Sequence, residues 1–237
     1  MTEERKNELS ENYALVLNRI EEARKRRGGD KPVTLLAATK TVPAEDICYL
    51  IENCGLKLCG ENHAQEFVEK YDAVRAAGAE MDFIGHLQTN KVKYVVGKAR
   101  LIHSLDSMKL AEEINARANK LGVVQKVLVE VNIGEEENKT GVMPKDVGGF
   151  LAQLESLTAI KVCGMMTMAP KCEENEEFRK YFKESYRIFL DFFAKKTHNI
   201  GEPVLSMGMS DSFECAVEEN SDIVRLGSII FGSRIYK

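Results

Sequence analysis

The sequence predicts a single (β/α)8 barrel preceded by one additional helix. Three observations support this α/β fold class. Eight short apolar runs alternate with stretches that can form helices, and strands separated by helices pair into a parallel sheet. Eight strand–helix units within about 200 residues match the size of such a barrel. The chain shows no gap long enough for an independent second domain, so we expect one domain over residues 1–237.

An amphipathic helix opens the chain, because apolar side chains recur there at spacings of three and four residues. We expect this helix to span residues 4–26 and to end at Gly28, so that residues 1–27 form an N-terminal helix packed on the barrel. The apolar positions on which this prediction depends are Leu9, Tyr13, Val16, Leu17 and Ile20.

The eight apolar runs are short, and several carry β-branched residues, as strands do. The predicted strands are Val33–Thr39, Leu56–Gly60, Met81–Gly85, Leu101–Ser104, Lys126–Asn132, Lys161–Met166, Val204–Met207 and Ile223–Leu226. Pro43 marks the start of the helix after the first strand, and Gly55 marks its end. Asp106 and Gly122 bound a later helix, and Pro144 begins another.

A doubly wound open sheet is the structural alternative, because it also alternates parallel strands with helices. Such sheets commonly carry a Gly-x-Gly-x-x-Gly segment after the first strand, where they bind dinucleotides. The absence of that segment here favours the barrel.

Composition restricts the classes of function. Hydrophobic residues make up 44% and charged residues 30%, and a formal net charge of −4 argues against nucleic acid as the main partner. No apolar run reaches the ~18–20 residues of a membrane span and no signal-peptide core is visible, so we expect no membrane partner. The six cysteines form no Cys-x-x-Cys pair and the four histidines are scattered, so we expect reduced thiols, a cytoplasmic location and no metal site.

Polar side chains at the carboxyl ends of barrel strands are candidates for function. Lys40 follows the first strand, where an apolar environment would favour a nucleophilic amine that forms a Schiff base; a lysine extending to solvent is the alternative. Asn62 follows the second strand and could instead cap a helix, and His86 follows the third and could instead be structural. Met165 belongs to a methionine cluster that could pack against a flat ring or simply fill the core.

The loops after the last two strands resemble a phosphate site. Ser206 lies near the end of the seventh strand and Ser210 follows it, while Gly227 and Ser228 follow Arg225 of the eighth. Barrels often bind phosphate with these two loops, using glycines for close backbone approach and hydroxyls as donors. Ser210 also suits a helix N-cap. Together with a lysine on the first strand, the loops suit a phosphorylated aldehyde or ketone held as an imine.

At these positions the chain resembles the pyridoxal phosphate homeostasis protein family, whose members are alanine racemase-like barrels without a second domain. The resemblance covers nearly the whole chain in order. The family usually has Thr where this chain has Ser228, and both residues supply a hydroxyl. The matching segments are Leu36–Pro43, Gly60–Asn62 with Gln65–Glu66, Phe83–Lys91, Val131–Gly134, Gly164–Met168, Leu205–Ser210, Val224–Ser228 and Ile230–Gly232.

The resemblance implies a barrel like the alanine racemase N-terminal domain and pyridoxal 5′-phosphate as the cofactor. It implies that Lys40 holds this cofactor as an internal aldimine, that Arg225 faces the pyridine nitrogen and that Asn62 lies beside the ring. It also implies a role in binding the phosphate for three residues of the last two loops. These are Ser210, Gly227 and Ser228. His86, Met165 and Ser206 complete the expected set of cofactor-contacting residues.

Arg225 restricts the chemistry that this cofactor can perform. A guanidinium only donates hydrogen bonds, so it favours an unprotonated ring nitrogen and a weak electron sink. Racemases with this barrel also have a second domain, which brings a catalytic tyrosine from a partner subunit, and this chain shows no such domain. We therefore expect a protein without significant catalysis.

Three hypotheses follow. The first is a monomeric pyridoxal phosphate-binding protein of intracellular homeostasis, which stores, buffers or delivers the cofactor, with apo pyridoxal phosphate-dependent enzymes as partners. The second is a single-domain racemase or aldolase that acts on amino acids with the same cofactor. The third is a Schiff-base aldolase without cofactor, whose substrate phosphate occupies the same loops; this protein would be colourless when purified.

Overall fold

In a computed structural model, eight parallel strands close into a barrel in chain order, and the last strand pairs with the first. The structure describes residues 1–193 and 200–232, and only the backbone of residues 200–202. The predicted fold class is confirmed. The strands are β1 (Thr34–Ala38), β2 (Leu58–Glu61), β3 (Glu80–Phe83), β4 (Ile102–Leu105), β5 (Gln125–Val131), β6 (Ile160–Thr167), β7 (Ile200–Ser206) and β8 (Ile223–Leu226).

Helices follow the strands around the outside of the barrel. They are α1 (Glu3–Arg27), α2 (Ala44–Cys54), α3 (Ala64–Ala77), α4 (Val92–Val95), α5 (Met108–Leu121), α6 (Val147–Leu154), α7 (Asn175–Phe192), α8 (Phe213–Glu218) and α9 (Ser228–Phe231). Two 3-10 turns, Thr89–Lys91 and Pro144–Asp146, precede α4 and α6. Among residues 1–193 and 200–232, no helix is both long and apolar enough to cross a membrane.

The N-terminal helix α1 packs against α2, α8 and α9. Its first turn is capped by Thr2, whose Oγ1 accepts the backbone N–H of Arg5 at 3.2 Å, and its last turn is basic, which complements the helix dipole. Leu9 and Val16 are fully buried, as the periodicity predicts. Leu17, which the same pattern placed on the buried face, is 41% exposed.

The predicted helix boundaries differ from the structure by few residues. Pro43 and Gly55 flank α2 as predicted, and Gly55 adopts the left-handed conformation that glycine tolerates. The helix assigned to Asp106 begins instead at Met108. Pro144 opens a 3-10 turn before α6, because proline suits the first turn of a helix but donates no N–H.

Two apolar layers hold the barrel together. The larger layer lies between the strands and the surrounding helices. The smaller layer lies inside the barrel, beside buried polar side chains, so the interior is a packed core and the mouth at the carboxyl ends of the strands is where barrels carry their chemistry. The interior layer consists of Leu36, Leu58, Ile84, Leu101, Leu128, Cys163, Met166 and Ile223, with Ala38 and Val204 packed against it.

Candidate functional site

Lys40 lies two residues beyond β1, and its neighbour across the sheet is the end of β8. The register pairs Ala37 with Leu226, which places the next residue of each strand, Ala38 and Gly227, side by side. A Cβ on Gly227 would lie 3.1 Å from the carbonyl oxygen of Ala38. Glycine therefore permits this close approach, and it brings the loop after β8 directly beside the lysine.

The loops after β7 and β8 meet through two hydroxyls. Ser228 Oγ donates to Ser210 Oγ at 3.2 Å. Gly208 has a φ of 94°, and a Cβ there would lie 2.6 Å from the side chain of Ala216, so glycine is required for this turn. The two hydroxyls therefore form a pair between the ends of β7 and β8.

The helix-cap alternatives for two candidates are wrong in this structure. Ser212 occupies the N-cap position of α8, so Ser210 does not cap that helix. His63 occupies the N-cap position of α3, so Asn62 does not cap that one. Asn62 is half-buried at the end of β2, and its backbone N–H donates to Glu61 Oε1 at 2.8 Å.

Arg225 is buried on β8 and is held by two neutral acceptors. Its Nη1 donates to Ser206 Oγ at 2.8 Å, and its Nη2 donates to the carbonyl oxygen of Thr167 at 2.9 Å. Burial lowers the pKa of Arg225 to about 10, and the charge of Glu130 opposes that shift. The guanidinium therefore stays protonated at neutral pH and acts as a donor.

Below Arg225, a chain of hydrogen bonds continues through the barrel; we call it the interior network, formed by Arg225, Ser206, His103, Asp82 and Arg100. Asp82 accepts from Arg100 Nε at 2.8 Å and Nη2 at 2.5 Å. Burial lowers the pKa of His103, so the ring is neutral. Its Nε2–H then donates to Asp82 at 3.0 Å, and its Nδ1 accepts from Ser206 Oγ at 3.2 Å. Ser206 is fully buried, and its hydroxyl links His103 to Arg225.

Further titratable groups lie at the mouth. The exposed ring of His86 places Nδ1 at 3.3 Å from Asp106 Oδ2, just beyond the end of β4. Glu130, near the end of β5, accepts from Thr140 Oγ1 at 2.7 Å. Burial raises the pKa of Glu130, and the charge of Asp106 adds to that shift. Glu130 and Asp106 were not among the candidates that the sequence supplied.

Met165 does not reach the mouth. The pairing of β6 with both neighbours shifts around Gly164, which has a φ of 118°. This bulge breaks the inward–outward alternation, so that Cys163 and Met166 face the interior while Met165 packs in the outer layer. The prediction that Met165 contacts a ligand is therefore wrong in this structure, because its side chain lies on the helix side of the strand.

A second polar group lies outside the barrel, between β2 and α3; we call it the Lys70 cluster, formed by Lys70, Glu61 and Glu66 with Thr39 and Thr41. Lys70 Nζ donates to Glu61 Oε2 at 2.9 Å, to Glu66 Oε2 at 2.6 Å and to the carbonyl oxygen of Thr39 at 2.8 Å. Sequence reasoning missed Lys70 because a lysine in an amphipathic helix ordinarily faces solvent.

Comparison with known proteins places this architecture in a family. The family model for the alanine racemase N-terminal domain matches residues 8–235. A pyridoxal phosphate homeostasis protein of Aquifex aeolicus (strain VF5) is 47% identical over 95% of this chain and 98% of its own length. The solved structure of PipY from Synechococcus elongatus PCC7942 with pyridoxal phosphate bound has a TM-score of 0.80, at 26% identity over 94% of this chain and 100% of that one.

A more distant likeness concerns the fold alone. The alanine racemase of Clostridium difficile 630 has a TM-score of 0.71 at 18% identity, and the match covers 94% of this chain but 57% of the racemase. The barrel is thus shared with the racemase, whereas the relationship over full length is with the homeostasis proteins. This chain belongs to the pyridoxal phosphate homeostasis protein family, within the family of alanine racemase N-terminal domains.

Proposed function

We propose that this protein binds pyridoxal 5′-phosphate through Lys40 and takes part in its intracellular homeostasis, by storage, buffering or delivery, without significant catalysis. One observation carries the proposal: β1, which Lys40 follows by two residues, is hydrogen-bonded to β8, which Gly227 and Ser228 follow directly. A lysine amine and a hydroxyl pair of the kind that binds phosphate therefore lie on adjoining strand ends.

The residues at the mouth fit this cofactor. When bound, pyridoxal phosphate supplies an aldehyde that condenses with a lysine amine and releases one water. Ser210 and Ser228 suit the phosphate, whose oxygens accept hydrogen bonds from hydroxyls. The buried guanidinium of Arg225 suits an unprotonated ring nitrogen, because it can only donate. Asn62 and His86 lie at neighbouring strand ends, where they would border the ring.

The surroundings of Arg225 support binding without turnover. Its Nη1 and Nη2 are directed to Ser206 and to the Thr167 carbonyl, both neutral acceptors. Strong electron withdrawal by the ring needs a protonated nitrogen and thus a carboxylate partner, and an arginine at that position opposes this. We assign Ser206 a supporting role through Arg225.

The racemase hypothesis is not favoured by the comparisons. The named relative at 47% identity is a homeostasis protein, and the match covers 98% of its length. Two-base racemisation needs a proton donor on each face of the substrate. The His86–Asp106 pair supplies one polar group at the mouth, and its ring is exposed.

The proposal is tested by the visible spectrum of purified protein mixed with pyridoxal phosphate, before and after borohydride reduction. We expect a new absorption band and, after reduction, a pyridoxyl adduct on Lys40 in peptide mass mapping. An adduct confined to another lysine, such as Lys91, would contradict the assignment. A colourless protein that reacts with phosphorylated aldehydes other than pyridoxal phosphate would support the cofactor-free aldolase.

The remaining proposals concern the protein in its cell. We propose that residues 1–237 act as one domain, although residues 194–199 and 233–237 lie outside the described part of the chain. Six free cysteines support a reducing compartment such as the cytoplasm.

We further propose a monomer that delivers its ligand to apo pyridoxal phosphate-dependent enzymes. Recovery of activity by such an apo-enzyme, mixed with loaded protein, tests delivery, and light scattering tests the monomer.

A further inference from the structure

The Lys70 cluster holds the backbone on both sides of Lys40. On one side, Lys70 Nζ donates to the carbonyl oxygen of Thr39 at 2.8 Å, and Thr39 Oγ1 donates to Glu61 Oε2 at 3.1 Å. On the other side, the backbone N–H of Thr41 donates to Glu66 Oε2 at 2.8 Å. Lys40 is therefore the one residue between two anchored neighbours.

The cluster is built from charges that are costly to bury. Lys70 is 7% exposed and Glu61 is fully buried. Burial acts to raise the pKa of Glu66, but hydrogen bonds from Lys70 and from the Thr41 N–H outweigh it and lower that pKa overall. Ion pairs of this kind often contribute no more to stability than apolar residues of similar volume, so their presence needs a reason other than packing.

The backbone after Lys40 is strained. Thr41 has a φ of 64°, in the left-handed region that β-branched residues rarely adopt. Such conformations persist where surrounding contacts fix them, and the bond from Thr41 N–H to Glu66 is such a contact. Glu66 is itself held by Lys70 at 2.6 Å, so the strained turn depends on the cluster.

We propose that Lys70 is a positioning residue, which acts through Glu66, Glu61 and the Thr39 carbonyl to fix the point from which the Lys40 side chain reaches into the mouth. The inference rests on the proposed function, because it concerns the lysine that would bond to the aldehyde. Lys70 reaches these partners from the outer side of β2, so it has no direct contact with a ligand in the mouth.

The test compares Lys70→Met with Gln125→Met. Gln125 is also buried and also binds backbone, but at the opposite end of the barrel, where its Oε1 accepts from the Gly97 N–H and its Nε2 donates to the Ala99 carbonyl. Both variants replace a buried polar side chain with methionine. Affinity is measured for pyridoxal phosphate and for 4′-deoxypyridoxine 5′-phosphate, which has a methyl group in place of the aldehyde.

For Lys70→Met we expect affinity for pyridoxal phosphate to fall about tenfold, the scale of a lost hydrogen bond to a charged group, with less than about a twofold change for the deoxy analogue. Gln125→Met should alter neither affinity beyond about twofold, even where it lowers the melting temperature. Equal losses for both ligands in Lys70→Met, or no loss for either, would overturn the proposal.

Glu66→Gln provides the milder variant if Lys70→Met does not fold. The amide oxygen introduced by this substitution keeps an acceptor for the Thr41 N–H while the ion pair with Lys70 is lost, so we expect a smaller, selective loss of pyridoxal phosphate affinity. Affinity equal to that of wild type, or an equal loss for the deoxy analogue, would again overturn the proposal.

A ligand-free measurement separates this inference from the proposed function. Reductive methylation with formaldehyde and cyanoborohydride, followed by mass mapping, gives the rate at which the Lys40 amine reacts. We expect that rate to change in Lys70→Met and not in Gln125→Met. If wild type fails to bind pyridoxal phosphate while this difference persists, the proposed function fails and the positioning role stands; no difference in rate would overturn the positioning role.

Discussion

Two buried polar groups support the mouth of this barrel, and they do so in different ways. The interior network ends on a side chain, since Ser206 accepts from the Arg225 guanidinium. The Lys70 cluster ends on the backbone, since it binds the Thr39 carbonyl and the Thr41 N–H. The planar guanidinium of Arg225 donates only along fixed directions, so bonds to the group itself orient it. The side chain of Lys40 is long and flexible, so bonds to the backbone on either side fix the position of its Cα. Each network matches the side chain that it supports.

Removal of Lys40, the side chain that the Lys70 cluster supports, should have the largest effect. Lys40→Ala should abolish the pyridoxyl adduct after borohydride reduction, because no amine remains at the end of β1. Lys91→Ala is the matched control, since Lys91 follows β3 in the 3-10 turn Thr89–Lys91. Mass mapping of both reduced proteins checks the prediction. An adduct of wild-type yield in Lys40→Ala would assign the covalent link to another residue.

Breaking the interior network should cost mainly stability. Asp82 is fully buried and is paired with both Arg100 and His103. Losing one partner of a buried ion pair costs about 3–5 kcal/mol, and the partial exposure of Arg100 reduces this, so we expect about 3 kcal/mol for Asp82→Asn. For a domain of this size that loss lowers Tm by about 6–12 °C.

Asp191→Asn is the control for this stability effect. Asp191 pairs with Arg187 at 3.1 Å on the surface of α7, and both side chains are at least half exposed. Water and salt screen an exposed pair of this kind, so calorimetry should show a far smaller change in Tm. Equal changes in the two variants would mean that the interior network does not stabilise the barrel.

Removing a hydroxyl from the loops after β7 and β8 should weaken ligand binding less than removing Lys40 does. Ser210→Ala removes one hydroxyl of the pair with Ser228, and we expect affinity for pyridoxal phosphate to fall about tenfold. The deoxy analogue should lose affinity to the same degree, because it keeps the phosphate. Titration by fluorescence measures both ligands, with Ser156→Ala as a control on the exposed surface. Unchanged affinity would remove Ser210 from the site.

The comparison between the two networks also shows what sequence can predict. The alternation of strands and helices predicts which residues follow strands, and a barrel brings all strand ends to one mouth. For that reason Lys40, Ser210 and Ser228 could be selected as candidates before their geometry was known. Arg225 lies within a strand rather than after it, so only the resemblance to a family suggested it as a partner of the ring nitrogen.

The supporting residues escaped sequence reasoning for two physical reasons. Lys70 lies in a helix whose polar positions ordinarily face solvent, and only the placement of Glu61 on the outer side of β2 shows why it is buried. Met165 was misassigned because the bulge at Gly164 reverses which side chains face inward, and a bulge is not visible in an apolar run. Asp82 and His103 did offer a signal, since charged or polar residues inside buried strands require partners.

The smallest predicted effect concerns pH and the interior network alone. Burial lowers the pKa of His103 in the folded protein below its unfolded value of about 6.5. The unfolded chain therefore binds the proton more readily, and stability falls as pH drops below about 6.5.

One such group contributes at most about 1.4 kcal/mol per pH unit to that slope. His103→Asn removes the titrating ring, so its free energy of unfolding, measured by urea denaturation between pH 7 and pH 5, should fall less steeply than that of wild type. His63→Asn is the matched control, because His63 is exposed at the N-cap position of α3. A slope in His103→Asn equal to that of wild type would show that the interior network does not hold His103 neutral. A neutral Nδ1 is the acceptor that orients the Ser206 hydroxyl, so the orientation of Ser206 toward Arg225 would then need another cause.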